Sequence, residues 1–145
     1  MEVSVLENNL KYLSIDLGLK RIGIAISLDG NLVTPQKAVE RKNRNQASAA
    51  VKSLIQEWSA TTIVVGIPIG GSSEEEMRRR VSHFMKLVDF DGEVYLQDES
   101  HSSLEAEELM KGKIRQKKDG RIDSIAAMII LERFLLSKEK ERLQN

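Results

Sequence analysis

The sequence predicts an α/β protein with a mixed five-stranded sheet, its first three strands antiparallel, and with helices on both faces of the sheet. Two observations lead to this prediction. Apolar runs separated by short turn signals fill the first forty residues, which is typical of an antiparallel meander. Beyond them, strand-like runs alternate with apolar residues at helical spacing, which is typical of crossovers that add parallel strands.

Three strands are predicted in the N-terminal third of the chain. Residues 10–17 form an apolar run with strand character, residues 21–27 (RIGIAIS) repeat it, and a third strand is expected near residues 32–39. The turn sequence DGN separates the second strand from the third. Residues 1–9 are polar and are expected to precede the folded part.

Helices and strands alternate in the rest of the chain. The segment NRNQASAAVKSLIQEWSA has helical spacing, and the β-branched run TTIVVGIP that follows is typical of a strand buried on both faces. A second helix is predicted in SSEEEMRRRVSHFMKLV, with serines as candidate N-caps and acidic residues in the first turn, where the helix dipole favours them. The strand GEVYLQDE, a helix in SSLEAEELMKGK and a long helix from residue 120 to residue 143 complete the predicted order.

Composition favours one cytoplasmic domain. The chain has 145 residues, 41% of them hydrophobic, so we expect residues 1–145 to form a single domain with looser ends at residues 1–9 and 138–145. It has no cysteine, which excludes a disulfide framework, a thiolate metal site and a cysteine nucleophile. Lysine and arginine balance aspartate and glutamate at 22 each, so nucleic-acid binding would depend on local patches. The apolar runs are too short for a bilayer and the N-terminus lacks a signal-peptide pattern, so no membrane contact is expected.

One carboxylate lies inside the first predicted strand. Asp16 interrupts the apolar run YLSIDLGL, where an unpaired charge is costly to bury. Two explanations are open on this basis: the carboxylate accepts hydrogen bonds from turn amides around Gly18, or it binds a metal ion.

Two further acidic positions border predicted core elements. Asp98 and Glu99 end the strand EVYLQDE, where functional groups gather in α/β sheets, although polar residues also end strands only because they are solvated there. Asp123 shares a side of the predicted last helix with Ile130 and Phe134 and should face the sheet, whereas a carboxylate that only complements the helix dipole could face solvent. If these positions converge, their oxygen atoms suit Mg²⁺ or Mn²⁺. Two such ions about 4 Å apart would support phosphodiester hydrolysis.

Four motifs resemble the YqgF/RuvX family in order and spacing. They are DLGLKRIGIAIS (16–27), VVGIP (64–68), DES with SSLEA (98–106) and RIDSIAAMIILERFL (121–135). The resemblance extends from about residue 11 to residue 136. It implies a ribonuclease-H-like fold and a nuclease that processes precursor 16S rRNA, and the family is also described as a Holliday junction resolvase.

The resemblance also implies the site residues. The acidic residues of the family fall on Asp16, on the pair Asp98 and Glu99, and on Asp123. Asp16, Glu99 and Asp123 are then the catalytic residues, and all four are metal ligands for Mg²⁺ or Mn²⁺. Arg21 matches the basic residue of the first motif, where it either holds a phosphate or forms a salt bridge across the hairpin.

This chain departs from the family pattern at two places. The family usually reads DER where this chain has Ser100, so an arginine that could hold the scissile phosphate is missing, and His101 is a candidate replacement. The loop after GIP is IGGSS, which is shorter and lacks the acidic residue often found before its glycine. Gly70 and Gly71 could still let backbone amides approach a phosphate.

Basic residues concentrate in the segment KGKIRQKKDGR (111–121). This segment joins the helix predicted in SSLEAEELMKGK to the helix that carries Asp123. If the acidic residues form the site, this segment lies along its rim and holds a phosphate backbone with little sequence preference; a solvated lysine loop is the alternative. Three further arginines at 78–80 are expected to splay over different helix faces and to be mostly exposed. The six candidate nucleic-acid-binding cations of the segment are Lys111, Lys113, Arg115, Lys117, Lys118 and Arg121.

Three functions remain open. The leading one is a metal-dependent endonuclease that trims the 5′ end of precursor 16S rRNA, with the pre-30S ribosomal particle as a partner. Cleavage of branched DNA at Holliday junctions would need a homodimer that matches the junction symmetry, and the sequence does not decide between monomer and homodimer. A non-catalytic RNA-binding assembly factor is the third, favoured by the missing arginine. A sugar-kinase-like or actin-like ATPase needs two domains, and 145 residues supply one.

Overall fold

The computed structural model describes residues 10–100 and 124–144, which form six strands and three helices. The strands are β1 (Tyr12–Leu17), β2 (Arg21–Ser27), β3 (Thr34–Glu40), β4 (Thr62–Ile67), β5 (Glu93–Asp98) and β6 (Glu141–Arg142). The helices are α1 (Arg44–Trp58), α2 (Glu74–Val88) and α3 (Ser124–Leu136). The helix predicted in residues 102–113 lies outside the described residues.

All six strands belong to one mixed sheet in the order β3-β2-β1-β4-β5-β6. The first three strands form the predicted antiparallel meander, and β4 and β5 are added parallel to β1. Strands β1, β3, β4 and β5 therefore run in the same direction. Their carboxyl ends meet at one edge of the sheet, where α/β proteins place their functional groups.

The C-terminal part differs from the prediction in two ways. The last helix ends at Leu136 instead of continuing to residue 143, and the sheet has six strands instead of five, because Glu141–Arg142 pairs antiparallel with β5. Unpaired backbone groups on the outer edge of β5 accept this short strand, which covers an otherwise open edge. An ion pair between Arg78 and Glu141, 2.6 Å from nitrogen to oxygen, adds to the attachment. Part of the terminus predicted to be loose is therefore a strand.

The helices cover both faces of the sheet, as predicted. Alternating side chains of β1 divide between two cores: Leu13 and Ile15 pack with residues of α1 and α2, whereas the other face packs against α3. Helix α1 begins with a capping box formed by Asn43 and Gln46. Ser73 is the N-cap residue of α2, as predicted, but its side chain makes no cap hydrogen bond within the described part of the chain.

Two buried hydrogen bonds fix α3 on the sheet. The Ser14 hydroxyl donates to the carbonyl oxygen of Ala127 at 2.7 Å, and the Ile24 amide donates to Ser124 Oγ at 2.9 Å. The second bond lies where the pairing of β2 with β3 shifts register, so the serine satisfies an amide at this irregularity. A buried amide without a hydrogen-bond partner lowers the free energy of unfolding by about 1 to 3 kcal/mol. The bond from Ile24 to Ser124 therefore favours the observed position of the start of α3 on the sheet.

None of the helices in residues 10–100 and 124–144 has the length and apolar character needed to cross a bilayer.

Candidate active site

Asp16 lies near the carboxyl end of the central strand β1, on the side of the sheet that faces α3. It is half-buried, and its partner on β2 is Gly23. Ser14, two residues earlier on the same face, binds α3 directly, and the amide of Ile24 beside Gly23 binds Ser124. The described start of α3 therefore lies next to the strand position that carries Asp16.

Glu99 extends β5 by one residue toward the same edge. Its amide donates to the carbonyl oxygen of Ile67 at 2.9 Å, which continues the parallel pairing of β4 with β5. Its Oε1 atom lies 3.0 Å from the position that a Cβ on Gly66 would occupy. Gly66 follows Val65, the β4 partner of Ile15, so it lies beside Asp16 in the sheet. The missing side chain at Gly66 thus leaves the space in which Glu99 approaches Asp16.

The two carboxylates interact. Burial, and after it the negative charges of Asp16 and Asp98, raise the pKa of the Glu99 carboxyl to about 7. A carboxyl perturbed in this way by burial and like charge is typical of functional sites, although structural networks also produce such shifts. The structure therefore places Asp16 and Glu99 close enough for their charges to interact, and their catalytic role stays a prediction.

Asp98 has a different environment. Its Oδ1 atom accepts hydrogen bonds from the amide of Ile69 and from both the amide and the hydroxyl of Ser100, the last at 2.7 Å. Burial alone would raise the pKa of Asp98, but these hydrogen bonds and the charge of Arg133 lower it below its ordinary value. Asp98 organises the turn after β5, and Ser100, which stands where the family has arginine, takes part in that turn. The role of Asp98 as a metal ligand stays a prediction.

Arg133 on α3 holds the main chain on both sides of Glu99. Its Nη1 atom donates to the carbonyl oxygens of Asp98 at 3.3 Å and of Ser100 at 2.8 Å. Arg133 was not among the predicted site residues. The signal available in the sequence was an arginine within the mainly apolar stretch SIAAMIILERFLL, where Glu132 is the only other charged residue. These two hydrogen bonds hold the main chain that carries Glu99.

Arg21 forms an exposed salt bridge with Glu40, its partner on β3, with 3.1 Å from Nε to Oε2. This is one of the two predicted roles, although the pair joins β2 to β3 and not β1 to β2. Exposed salt bridges of this kind contribute only about 0 to 1 kcal/mol to the free energy of unfolding, so this pair has at most a local effect on stability. The phosphate-binding role of Arg21 stays a prediction.

The glycine loop after β4 is partly occupied by its own helix. Gly70 has a positive φ of 87°, and its amide donates to Glu74 Oε1 at 2.8 Å. That amide is engaged with the first turn of α2, which weakens the prediction that it approaches a phosphate. Gly71 has open space around its Cα.

Several predicted site residues lie outside the described residues: Asp123, His101, Lys111, Lys113, Arg115, Lys117, Lys118 and Arg121. Within residues 10–100 and 124–144, no group of three or more histidine, cysteine, aspartate or glutamate side chains is placed to hold a metal ion. Of the four predicted metal ligands, Asp16, Asp98 and Glu99 lie among the described residues.

The raised pKa of Glu99 has a measurable effect on stability. In buffer with EDTA, the free energy of unfolding should fall between about pH 4.5 and 7, because over this range the unfolded chain ionises Glu99 while the folded chain keeps it protonated. Glu99→Gln removes this dependence and should be more stable than the unmodified protein above pH 7 by about 1 to 2 kcal/mol, allowing for solvent screening. Urea unfolding at pH 5 and pH 8 measures the difference. Glu132→Gln, exposed on α3, is the control, and an unchanged pH dependence in Glu99→Gln would contradict the expected effect.

The strand order, with Asp16 near the carboxyl end of the central strand β1, defines a ribonuclease-H-like α/β protein. Two solved structures share this fold at low sequence identity. Thermus thermophilus RuvC, solved in complex with a Holliday junction substrate, matches with a TM-score of 0.57 and 11% identity over 92% of this chain and 99% of that chain. The fowlpox virus Holliday junction resolvase matches with a TM-score of 0.51 and 14% identity over 85% of this chain and 95% of that chain.

The chain belongs to the RuvX family, described as Holliday junction resolvase, whose model matches residues 10–137. Curated relatives from three bacteria carry the name "Putative pre-16S rRNA nuclease". The Sulfurimonas denitrificans protein is 64% identical over 89% of this chain and 99% of its own length, and the Campylobacter lari protein is 51% identical over 86% and 97%. The Helicobacter pylori protein is 45% identical over 84% and 92%. The resemblance and the fold class expected from the sequence are confirmed.

Proposed function

We propose that this protein is a metal-dependent endonuclease that processes the 5′ end of precursor 16S rRNA. The observation that carries the proposal is the approach of Glu99 to Asp16 across Gly66 at the carboxyl edge of the sheet. The relatives named for pre-16S rRNA supply the substrate class. A cytoplasmic location and the pre-30S particle as a partner follow from that substrate.

The proposed catalytic residues are Asp16, Glu99 and Asp123. Asp123 is bonded to Ser124, whose hydroxyl binds the amide of Ile24 beside Asp16's partner residue on β2. Because Asp123 also matches the acidic residue of the family's last motif, RIDSIAAMIILERFL, we expect it to supply the third carboxylate. Asp98 is the weakest of the four proposed ligands, since its Oδ1 atom is already hydrogen-bonded.

The donor set fits a divalent cation. Carboxylate oxygens are the ligands that Mg²⁺ and Mn²⁺ prefer. Burial, and after it the negative charges of Asp16 and Asp98, raise the pKa of Glu99, and a bound cation would favour its charged form. A bound metal would supply an activated water and stabilise the charge on the leaving oxygen. The chain's own contribution is positional: β1 fixes Asp16, Gly66 leaves room for Glu99, and Arg133 holds the main chain around Glu99.

The substrate would be held by its backbone. We assign this role to Arg21 and to the six cations of residues 111–121, which would give salt-sensitive binding with little sequence preference. Single-strand recognition by base stacking is less favoured, because aromatic residues are only 4% of the chain. The protein would act as a monomer or a homodimer.

Resolution of Holliday junctions is the second candidate function. The family description favours it, and the fold is shared with resolvases. It would require a homodimer that places two sites symmetrically on the junction. A non-catalytic RNA-binding assembly factor is the remaining alternative, since Ser100 replaces the family's usual arginine.

The test is a titration of Mg²⁺ and Mn²⁺ with two labelled substrates, a precursor 16S rRNA 5′-leader oligonucleotide and a four-way DNA junction. Cleavage of the leader alone supports the proposal, and cleavage of the junction alone supports the second candidate. Binding of the leader without cleavage of either substrate, at every metal concentration, would leave the assembly factor and overturn the nuclease.

Arg133→Gln tests how Glu99 is positioned. We expect kcat for leader cleavage to fall about 10- to 100-fold with KM nearly unchanged, because the carboxylate loses its support while the proposed binding surface is untouched. Single-turnover and steady-state rates measure the two constants. Glu132→Gln, the exposed neighbour on α3, should leave both constants unchanged, and a change confined to KM in Arg133→Gln would refute the positioning role.

A further inference from the structure

A cleft of about 220 Å³ between α1 and α2 is lined mainly by arginines. We call it the arginine cleft and define it by Arg41, Arg44, Arg79, Arg80 and His83. Glu76 is the one acidic residue among its lining residues, so with neutral histidine the cleft carries four positive charges against one negative charge. The buried side chains of Leu17 and Phe84 form its apolar floor.

The guanidinium groups in the cleft have few negative partners. Arg41 donates to the carbonyl oxygen of Gly18 at 2.8 Å, Arg44 donates to Nε2 of His83 at 3.1 Å, and Arg80 contacts the sulfur of Met77. Among the described residues, no carboxylate oxygen lies within 4.0 Å of these three guanidinium groups.

Arg79, which lines the cleft, and Arg78, which does not, differ in how closely carboxylates approach them. Arg79 reaches Glu75 only at 3.9 Å, and both side chains are well exposed. Arg78, by comparison, turns away from the cleft and pairs with Glu74 and Glu141 at 2.7 and 2.6 Å. Arg78 is thus neutralised by two carboxylates, whereas its neighbours along α2 line the cleft. The predicted splay over different helix faces is seen, since Arg78 lies apart from Arg79 and Arg80, but only Arg79 is well exposed, while Arg78 and Arg80 are partly buried.

Crowding of like charges is visible at Arg41. Burial, and then the positive charges of Arg80 and Arg44, lower the pKa of the Arg41 guanidinium. The side chain remains charged at any ordinary pH, so the repulsion persists in the free protein. An anion in the cleft would relieve it.

The cleft lies close to the proposed active site but on the opposite face of the sheet. Leu17 on its floor is the residue after Asp16, and the two side chains point to opposite faces of β1. Arg41 follows the carboxyl end of β3 and Arg44 begins α1, so both lie at the sheet edge where Asp16 and Glu99 are found. A nucleic-acid strand bound across this edge of the sheet would reach the cleft within a few nucleotides of Asp16 and Glu99.

The chemistry of the cleft selects phosphate over base. Arginine guanidinium groups present paired donors that match phosphate oxygens, and several converge here. Phe84 is only 3% exposed, so its ring is not available to stack on a base. Contacts of this kind fix the position of a nucleic-acid backbone and read no sequence.

We propose that the arginine cleft is a second nucleic-acid contact that binds a backbone phosphate of the substrate strand on the far side of the sheet edge from Asp16 and Glu99. The inference rests on the proposed function only for the identity of the substrate. Binding itself requires no cleavage, so the two can be tested separately.

The test compares two double variants with the same loss of charge. Arg44→Gln/Arg80→Gln removes two cations from the cleft but leaves Arg41, which also supports the Gly18 turn. Lys52→Gln/Lys86→Gln removes two cations from the later turns of α1 and α2, outside the cleft. Binding of the fluorescent 5′-leader RNA is measured in EDTA by anisotropy between 50 and 200 mM KCl, so that no cleavage occurs.

We expect the cleft variant to bind about tenfold or more weakly at 50 mM KCl, with the slope of log K against log salt reduced by about one. The lysine control should change affinity less than twofold. Arg44→Lys/Arg80→Lys should recover most of the affinity, and thermal unfolding shows whether each variant is folded. Two results would overturn the proposal: an affinity in the cleft variant equal to that of the unmodified protein, or equal losses of affinity in the cleft variant and the lysine control.

A separate arm distinguishes backbone phosphate from a small free phosphate compound. Inorganic pyrophosphate is titrated into unmodified protein and into the cleft variant by calorimetry. Weak or no binding, together with loss of RNA affinity in the cleft variant, supports the proposal. Micromolar binding that needs Arg44 and Arg80, with unchanged RNA affinity in the variant, would assign the cleft to a free ligand. Failure to cleave any substrate would overturn only the nuclease, because the binding result does not depend on it.

Discussion

Asp16→Asn is expected to abolish metal-dependent cleavage of the leader RNA while the fold stays intact. Asparagine keeps the shape of the side chain but removes the charge that would bind the cation. A bound metal ion contributes several kcal/mol to stabilising the transition state, and each 1.36 kcal/mol corresponds to tenfold in rate, so a loss of about 10³-fold or more is expected. Cleavage rates at saturating Mg²⁺ measure it.

The same substitution has a predicted effect on stability that separates it from simple misfolding. Removing the negative charge of Asp16 should lower the raised pKa of Glu99, so in EDTA at pH 8 the variant should be at least as stable as the unmodified protein. Asp91→Asn, exposed in the turn before β5, is the control and should leave cleavage unchanged. Undiminished cleavage by Asp16→Asn would remove Asp16 from the site.

Gly66→Ala should impair both the fold and the site. A Cβ at this position would lie 2.4 Å from Cδ1 of Ile130 and 3.0 Å from Oε1 of Glu99, and Ile130 is completely buried, so it has little room to move. Overpacking of this kind costs about 1 to 3 kcal/mol, whereas restricting the unfolded chain returns only about 0.4 to 1 kcal/mol. The variant should therefore be less stable by about 1 to 2 kcal/mol in urea unfolding.

Expressed as free energies, the loss of cleavage rate in Gly66→Ala should exceed the loss in the free energy of unfolding. Glu99 would have to shift by several tenths of an ångström or more, and misplacement of a catalytic group by 1 Å can cost about 10²-fold in rate. Gly71→Ala is a matched control, because no atom lies within 4 Å of a Cβ there. Full activity in a stably folded Gly66→Ala protein would show that the position of Glu99 over Gly66 is not needed for catalysis.

The sequence predicted most of what local patterns control. Strands around Asp16 follow from apolar runs and turn residues, and the parallel addition of β4 and β5 follows from alternation with helices. Asp16 itself stood out because a charge inside a core strand needs a reason. Glu99 stood out because it ends the predicted strand EVYLQDE, and the four-motif resemblance then implied its catalytic role.

Features that depend on distant partners were not predictable. The chain after Leu136 has helical composition, yet it forms β6 because the edge of β5 and the charge of Arg78 lie nearby in space. The resemblance favoured Glu99 over Asp98 as the metal ligand, but the sequence could not show that hydrogen bonds from Ser100 and Ile69 engage the Asp98 carboxylate. The arginine cleft likewise combines residues from separate elements, and no local pattern shows that they share a cavity.

The way α3 is attached has a consequence for the order in which the protein is made. Asp16 belongs to a hairpin of neighbouring strands. The two hydrogen bonds that attach α3 to the sheet, in contrast, join residues that are separated by 100 and by 113 positions in the chain. Contacts of such separation form late in folding, because a long loop must close first. During synthesis, a ribosome-bound chain can complete the meander well before Glu99 and Ser124 have emerged. The approach of Glu99 to Asp16 therefore requires about two thirds of the chain, and the seating of α3 beside them requires the residues from Ser124 onward.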